Sequence, residues 1–297
     1  MKTFLFLLTQ YCLPQHILSR LVGKLAAWQA PRWLKHRLIR WFINKNDIDL
    51  SIAEKTSIDD YPTFNAFFIR RVQPALRPID AEDVIVSPAD GVISQMGHID
   101  GTTLLQAKNI HYSLTSLLAN DAELINAFNN GAFATIYLSP RDYHRVHMPF
   151  CGKLIRSIYV KGKLFSVNAT MVSKLPNLFT RNERLINVFA TEIGTMAVIM
   201  IGAMLVAGIH TVWQGKVTPN RLAPICDWRY HEQNIVLQKG IELGYFNFGS
   251  TVITLLPPQT ATWLDSLQPG KTIKFGQALS LLFTANKNRN ATIITDS

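Results

Sequence analysis

Gly249-Ser250-Thr251 is where this 297-residue chain sets a nucleophile beside a carbonyl it can reach. Thr251 to Leu256 is β-branched and aliphatic and reads as a buried strand, so the Gly-Ser pair marks strand entry. Two readings fit such a pair. In one, the glycine makes the entry turn and the serine satisfies a backbone group. In the other, the Ser250 hydroxyl attacks the carbonyl of Gly249, because glycine leaves that carbonyl uncrowded and tolerates strained dihedrals. The product is an ester. Removal of the Cα proton of Ser250 then allows β-elimination, which frees the upstream chain as a carboxylate and leaves dehydroalanine. Water converts dehydroalanine to a pyruvoyl group with release of ammonia, giving an N-terminal ketone that can accept electrons.

Such an attack needs a base, and near neutral pH a histidine oriented by a carboxylate is the usual one. In isolation Asp90-Gly91 is a common turn pair, and His147 before Met148-Pro149 a core or surface histidine. His144 and His147 are spaced as a metal pair on a helix would be. Pro140 and Pro149 bracket too short a run for that helix, and no nearby Cys or Glu completes a ligand set, so no metal is expected.

Four further motifs precede the Gly-Ser pair: Ser87-Pro-Ala-Asp90-Gly-Val-Ile93, Ser139-Pro-Arg-Asp-Tyr-His144-Arg-Val-His147-Met-Pro149, Gly162-Lys-Leu-Phe165-Ser166-Val-Asn168 and Asn182-Glu-Arg184. Together with Phe248-Gly249-Ser250-Thr251 they make the chain resemble, over nearly its whole length, the bacterial phosphatidylserine decarboxylases. These are pyruvoyl-dependent enzymes that cleave themselves at a Leu-Gly-Ser-Thr motif. Phe248 stands where the commoner form has leucine, which keeps an apolar side chain and is expected to affect packing or processing rate but not the chemistry.

The resemblance implies self-cleavage into a beta chain, residues 1–249, and an alpha chain, residues 250–297, that stay associated and form a homodimer of such pairs. It assigns Asp90, His147 and Ser250 to the charge relay for cleavage, Ser250 becoming the pyruvoyl cofactor. The amine of phosphatidylserine would form a Schiff base there, lose carbon dioxide into that electron sink and leave as phosphatidylethanolamine, with no external cofactor. His144 would position the substrate or supply a proton. Phe165, Ser166 and Asn168 would line the substrate site. Arg184 would bind phosphate or carboxylate through its planar fork, or else pair with Glu183 or another acid. Ser250, His147 and Asp90 also match a serine hydrolase acting on lipid esters without self-processing. A non-enzymatic membrane adaptor is the third possibility.

Hydrophobic residues make up 48% of the chain and charged residues 17%, which argues for a packed core and against disorder. The net charge of +10 is concentrated at the start: Lys2, Arg20, Lys24, Arg32, Lys35, Arg37, Arg40 and Lys45 precede the first acid, Asp47. Met1 to Leu8 resembles a signal-peptide start, but Thr9-Gln10 and Pro14 interrupt it and no small-residue cleavage site follows, so export is not expected. From Ile17, the positions Ile17, Leu18, Leu21, Val22, Leu25 and Trp28 recur at helical spacing. Pro31 opens a second helix with Leu34, Leu38, Trp41 and Phe42 on one side.

Cationic amphipathic helices with Trp28, Trp33 and Trp41 suit an anionic membrane surface and not nucleic acid, unless their apolar faces simply pack on the protein. The expected location is peripheral, on the cytoplasmic side of the cell membrane. Cys12, Cys151 and Cys226 are few and scattered, which suits a reducing compartment.

The expected class is α+β, a mostly β catalytic domain over 47–297 preceded by helices over 1–46. Thr63 to Arg70 and Leu114 to Phe128 are expected as helices within it. Short strands are expected at Val84–Val86, Val92–Ser94, Thr135–Leu138 and Lys153–Val160. Ile193 to Ile209 carries no charge over 17 residues, yet its glycines favour two buried strands, Met196–Ile201 and Met204–Ala207, over a membrane span.

Overall fold

The computed structural model describes residues 8–80, 83–204, 208–218 and 223–283. Two helices come first, α1 (Gln15–Ala27) and α2 (Arg32–Asn46), then a short α3 (Phe64–Phe68) capped by the Thr63 hydroxyl, which accepts from the Ala66 amide at 3.0 Å. The strands that follow are β1 (Val84–Val86), β2 (Gly91–His98), β3 (Thr103–Ala107), β4 (Ile110–Ser113), β5 (Ala132–Leu138), β6 (Arg145–His147), β7 (Gly152–Val160), β8 (Arg184–Thr191) and β9 (Gly194–Ile201). After them come β10 (Ile209–Thr211), β11 (Gly215–Lys216), β12 (Ile225–Arg229), β13 (Val236–Leu237), β14 (Glu242–Phe246), β15 (Ser250–Leu256), β16 (Ala261–Trp263), β17 (Thr272–Ile273) and β18 (Ala278–Leu282). Helices preceding a β-rich body are the α+β arrangement read from the sequence.

The main sheet is antiparallel and runs β12-β7-β8-β9-β15-β5-β2-β17, with β13 also on β7. All seven residues of β15 are buried. Ser250 pairs with Leu138 of β5 and Thr251 with Ile201 of β9, so the strand that begins at the Gly-Ser pair is central and held on both sides. A four-stranded sheet, β11-β10-β14-β6, carries both motif histidines' segment against the chain leading into Ser250. In it His147 lies opposite Glu242 and Arg145 opposite Tyr245.

Two expectations need correction. Leu114 to Phe128 is not one helix: α4 (Leu114–Leu117) and α5 (Ala122–Phe128) are separated by Ala119 and Asn120, both left-handed at φ 57° and 63°. Asp121 then caps α5 by accepting from the Leu124 amide, so Asn-Asp punctuates what the apolar pattern joined. Met196–Ile201 lies in β9 as expected, but Met204 sits in a turn, and Leu205, Val206 and Ala207 lie outside the described residues. The uncharged 193–209 run therefore contains a sheet strand, and among the described residues no helix is long and apolar enough to cross a membrane.

The first two helices pack in an inverted sense. α1 buries Gln15, Ser19 and Ala26, while Ile17, Leu21 and Leu25 stay exposed, Leu25 at 66%. α2 buries Ile39 and turns Trp33, 68% exposed, together with Leu38 and Trp41, to solvent. Packing on the protein thus does not account for the apolar residues of α1. The buried polar ones are tethers: Gln15 Oε1 accepts from the Leu164 amide at 2.7 Å, and Gln10 Oε1 from the Ser166 amide at 3.0 Å.

Candidate active site

The Ser250 hydroxyl is wholly buried and has no hydrogen-bond partner among the described residues. An orphaned buried hydroxyl is costly, and native interiors keep few of them. Just upstream, Phe248 has φ 105°, a region that bulky L residues avoid at a cost of about 1–3 kcal/mol. Gly249 is not in that region, and a Cβ there would meet nothing nearer than the Leu138 carbonyl oxygen at 3.5 Å. The strain expected of the glycine is carried instead by the residue before it.

Aromatic packing fixes Phe248. Its ring stacks on Phe64 at 5.9 Å and leans on Phe68 at 4.5 Å, and Phe68 in turn stacks on His144 at 4.3 Å. α3 therefore joins His144 to the residue before the Gly-Ser pair. His144 is fully buried, and among the described residues neither ring nitrogen has a hydrogen-bond partner of good geometry, the Ser139 and Pro140 backbone being near enough only to favour its proton weakly. Burial, reinforced by the Arg70 cation and only partly offset by the nearby Ser139 and Pro140 backbone, pushes its pKa down to about 3. It is a neutral imidazole.

His147 differs. Its Nδ1 donates to the Gly240 carbonyl at 2.8 Å, which leaves Nε2 to accept from the Tyr143 hydroxyl at 3.0 Å. Phe275 stacks on the ring at 3.9 Å. Burial again lowers the pKa.

Asp90 does not orient His147 by a direct bond, contrary to the expected relay. Its carboxylate is taken by Arg77, with Nη2 2.5 Å from Oδ2 and Nε 3.1 Å from Oδ1, and by the Phe275 amide at 2.9 Å. Asp90 reaches His147 through its field and through the residue whose ring stacks on it. No described hydrogen bond links Ser250 to either histidine.

A cavity of about 560 Å³ opens at Gly249, walled by Val22, Leu25, Trp41, Phe42, Tyr137 and Phe248 among others. Ser166 lines it, as the sequence led one to expect of the substrate site, and Lys45 is the cation at its wall. Phe165, Asn168 and Arg184 do not line this cavity. Phe165 packs edge-on against Tyr11 at 5.1 Å, away from this cavity, and Asn168 caps α6 (Ala169–Val172) through its Oδ1.

Arg184 spends its guanidinium on backbone carbonyls and, among the described residues, pairs with no acid. Nε donates to the Leu117 carbonyl, Nη1 to those of Thr180 and Asn182, and Nη2 to that of Ser116, at 2.6–3.2 Å. Asn182 likewise spends its amide on Phe165 and Gly202. Gly162 lies so near that a Cβ there would come within 2.4 Å of the Asn182 backbone. The motifs containing Gly162 and Asn182 thus hold the loop that presents Ser166.

Sequence reasoning missed Arg77, Tyr143, Gly240 and Phe275 around His147, and the helix residues walling the cavity. Tyr143 lay within a quoted motif. The others sit far along the chain, with no local signal.

Comparison with known proteins gives a consistent result. The family model for phosphatidylserine decarboxylase matches residues 64–280, and a model described as PSD matches residues 5–45. A protein of Ectopseudomonas mendocina named phosphatidylserine decarboxylase proenzyme is 48% identical over 283 residues, covering 94% of this chain and 98% of that one. Proteins of the same name from Alcanivorax borkumensis and Pseudomonas entomophila are 48% and 46% identical, covering 96% and 95% of this chain and 98% and 99% of theirs. The chain belongs to the phosphatidylserine decarboxylase family.

Proposed function

We propose that this enzyme converts phosphatidylserine to phosphatidylethanolamine and carbon dioxide with an electron sink made from Ser250 by cleavage after Gly249. The observation that carries it is the unpartnered Ser250 hydroxyl at the head of the central strand, directly after a strained Phe248. Scission would free residue 248 from that dihedral, so strain favours products over the intact peptide. The alpha chain would begin with β15, whose pairing to β5 and β9 favours continued association of the two pieces.

The buried start of β15 and the cavity at Gly249 suit a small covalent group at residue 250. When present there, a pyruvoyl ketone supplies the acceptor for the electron pair that carbon dioxide leaves behind. Asp90 and His147 keep the role of supporting cleavage that the resemblance of their motifs implies. For His147 to take a proton through Nε2, the Tyr143 hydroxyl must rotate away or pass the proton along. His144, neutral and without a hydrogen bond of good geometry among the described residues, is the group fitted to hold a proton for delivery to the former α-carbon. The apolar cavity walls exclude water from the departing carboxylate, and Lys45 offers a charge to the phosphodiester.

Exposed Leu25 and Trp41 at this cavity, with Ile17, Leu21 and Trp33 exposed on the same two helices, support a peripheral place on the membrane, where each cation near an anionic surface adds about 1 kcal/mol. In mixed micelles the wild-type protein should form phosphatidylethanolamine and carbon dioxide in equal amounts, and Ser250→Ala neither. Turnover by Ser250→Ala would refute the proposal.

A further inference from the structure

A second pocket, of about 580 Å³, lies on α1 and shares no lining residue with the cavity at Gly249. Its polar lining is Arg20 and Lys24 from α1, His210 and Lys216 from the β10–β11 hairpin, Asn65 from α3 and Asn247. Three cations converge without a lining acid, and among the described residues none of the three has an ion-pair partner within 4 Å. The field of Arg20 does reach the buried Glu183, and Lys216 bears on His210.

Like charges gathered from two separate elements repel one another unless something between them carries the opposite sign. Asn247 gives a second, independent sign of a missing partner. It is 9% exposed, its Nδ2 is 3.1 Å from His210 Nε2, and its Oδ1 has no partner among the described residues. His210 stacks on Tyr245 at 4.5 Å, and burial followed by the Lys216 charge pushes its pKa down to about 4. It is therefore neutral and accepts from Asn247 at Nε2, so Nδ1 carries its proton.

We infer that this pocket binds a phosphate group, on a lipid headgroup or free, at a site separate from the reacting one. Arg20, Lys24 and Lys216 would meet the phosphate oxygens, and Asn247 Oδ1 would accept from a hydroxyl or ammonium on the same ligand. Ile17 and Leu21, exposed and also lining the pocket, favour a headgroup whose acyl chains lie along α1. Only the lipid source rests on the membrane reading above.

The test compares wild type with Lys24→Gln/Lys216→Gln and with a charge-matched control, Arg37→Gln/Arg40→Gln, exposed on α2 and lining neither pocket. Complete processing after Gly249 in each variant shows that it folds. Binding to phosphatidylcholine vesicles containing phosphatidylglycerol is measured by sedimentation at 0.15 M salt, and protection against thermal unfolding by inorganic phosphate in parallel. At least a fivefold greater loss of vesicle binding in the pocket variant than in the control assigns the site to a headgroup. Phosphate protection that the pocket variant alone loses, with vesicle binding equal in both variants, assigns it to free phosphate. Equal losses with no phosphate protection in wild type overturn the inference. Wild type that ignores vesicles but is protected by phosphate refutes the membrane reading and leaves the pocket standing.

Discussion

Arg184 with Asn182, and Ser250 with His144, are two buried polar groups of opposite character. In the first every nitrogen of the guanidinium and every atom of the amide is spent on backbone. In the second a hydroxyl and two ring nitrogens have no hydrogen-bond partner of good geometry among the described residues. Satisfied networks fix a loop in place, whereas orphaned groups cost stability and are kept where a ligand or a reaction supplies what is missing. Both groups lie in segments that match the family in sequence, so sequence similarity alone does not tell them apart. Their hydrogen bonds do.

The comparison breaks most visibly in stability. Arg184→Met leaves the carbonyls of Ser116, Leu117 and Thr180 without their donor, and should lower unfolding free energy by about 3 kcal/mol or more in urea titrations. His144→Gln should cost less than about 1 kcal/mol at pH 8 by the same measurement, since no hydrogen bond of good geometry is lost. If both variants lose equally, the contrast is wrong.

Activity should show the reverse. His144→Gln is expected to be cleaved after Gly249 yet to lose roughly 100-fold or more in turnover, read as carbon dioxide release. His147→Ala should remain uncleaved on denaturing gels. Normal cleavage in His147→Ala with an uncleaved His144 variant would exchange the two roles.

pH sharpens the contrast further. His144 binds its proton less readily folded, near pH 3, than unfolded, near the usual 6.5. The unfolded state therefore holds more protons between those values, and the stability His144 contributes is present above pH 6.5 and lost as pH falls toward 3. The urea midpoint of wild type should fall relative to His144→Gln over that window. Smallest is Phe248→Leu, which keeps an apolar side chain against Phe64 and Phe68 and should cost about 1 kcal/mol without preventing cleavage.

The strand from Thr251, the strand within the uncharged 193–209 run and the two leading helices were legible because local pattern decides them. The break at Ala119-Asn120 was not, since two left-handed residues outweighed an apolar period. Ser166 lines the cavity at Gly249, and His144 is joined to Phe248 through the Phe68 ring, so these motifs do come together around the Gly-Ser pair. The residue type of Arg184 did not foretell its partners, because a guanidinium's planar fork fits carbonyls at a helix end as well as it fits phosphate. Asp90 misled in its partner, because Arg77, thirteen residues upstream, reaches the carboxylate first. The inverted packing of α1 could not be read from periodicity, which gives the apolar face but not the side on which the protein lies.

Intact-mass spectrometry of the purified protein beside Ser250→Ala tests the central claim most directly. Wild type should give two pieces broken between Gly249 and residue 250, the smaller lacking a free amino group and lighter by the difference between a serine and a pyruvoyl terminus. Ser250→Ala should give one full-length chain. A single, unmodified wild-type chain that still decarboxylates phosphatidylserine would contradict the account, because the electron sink would then have to come from somewhere other than Ser250.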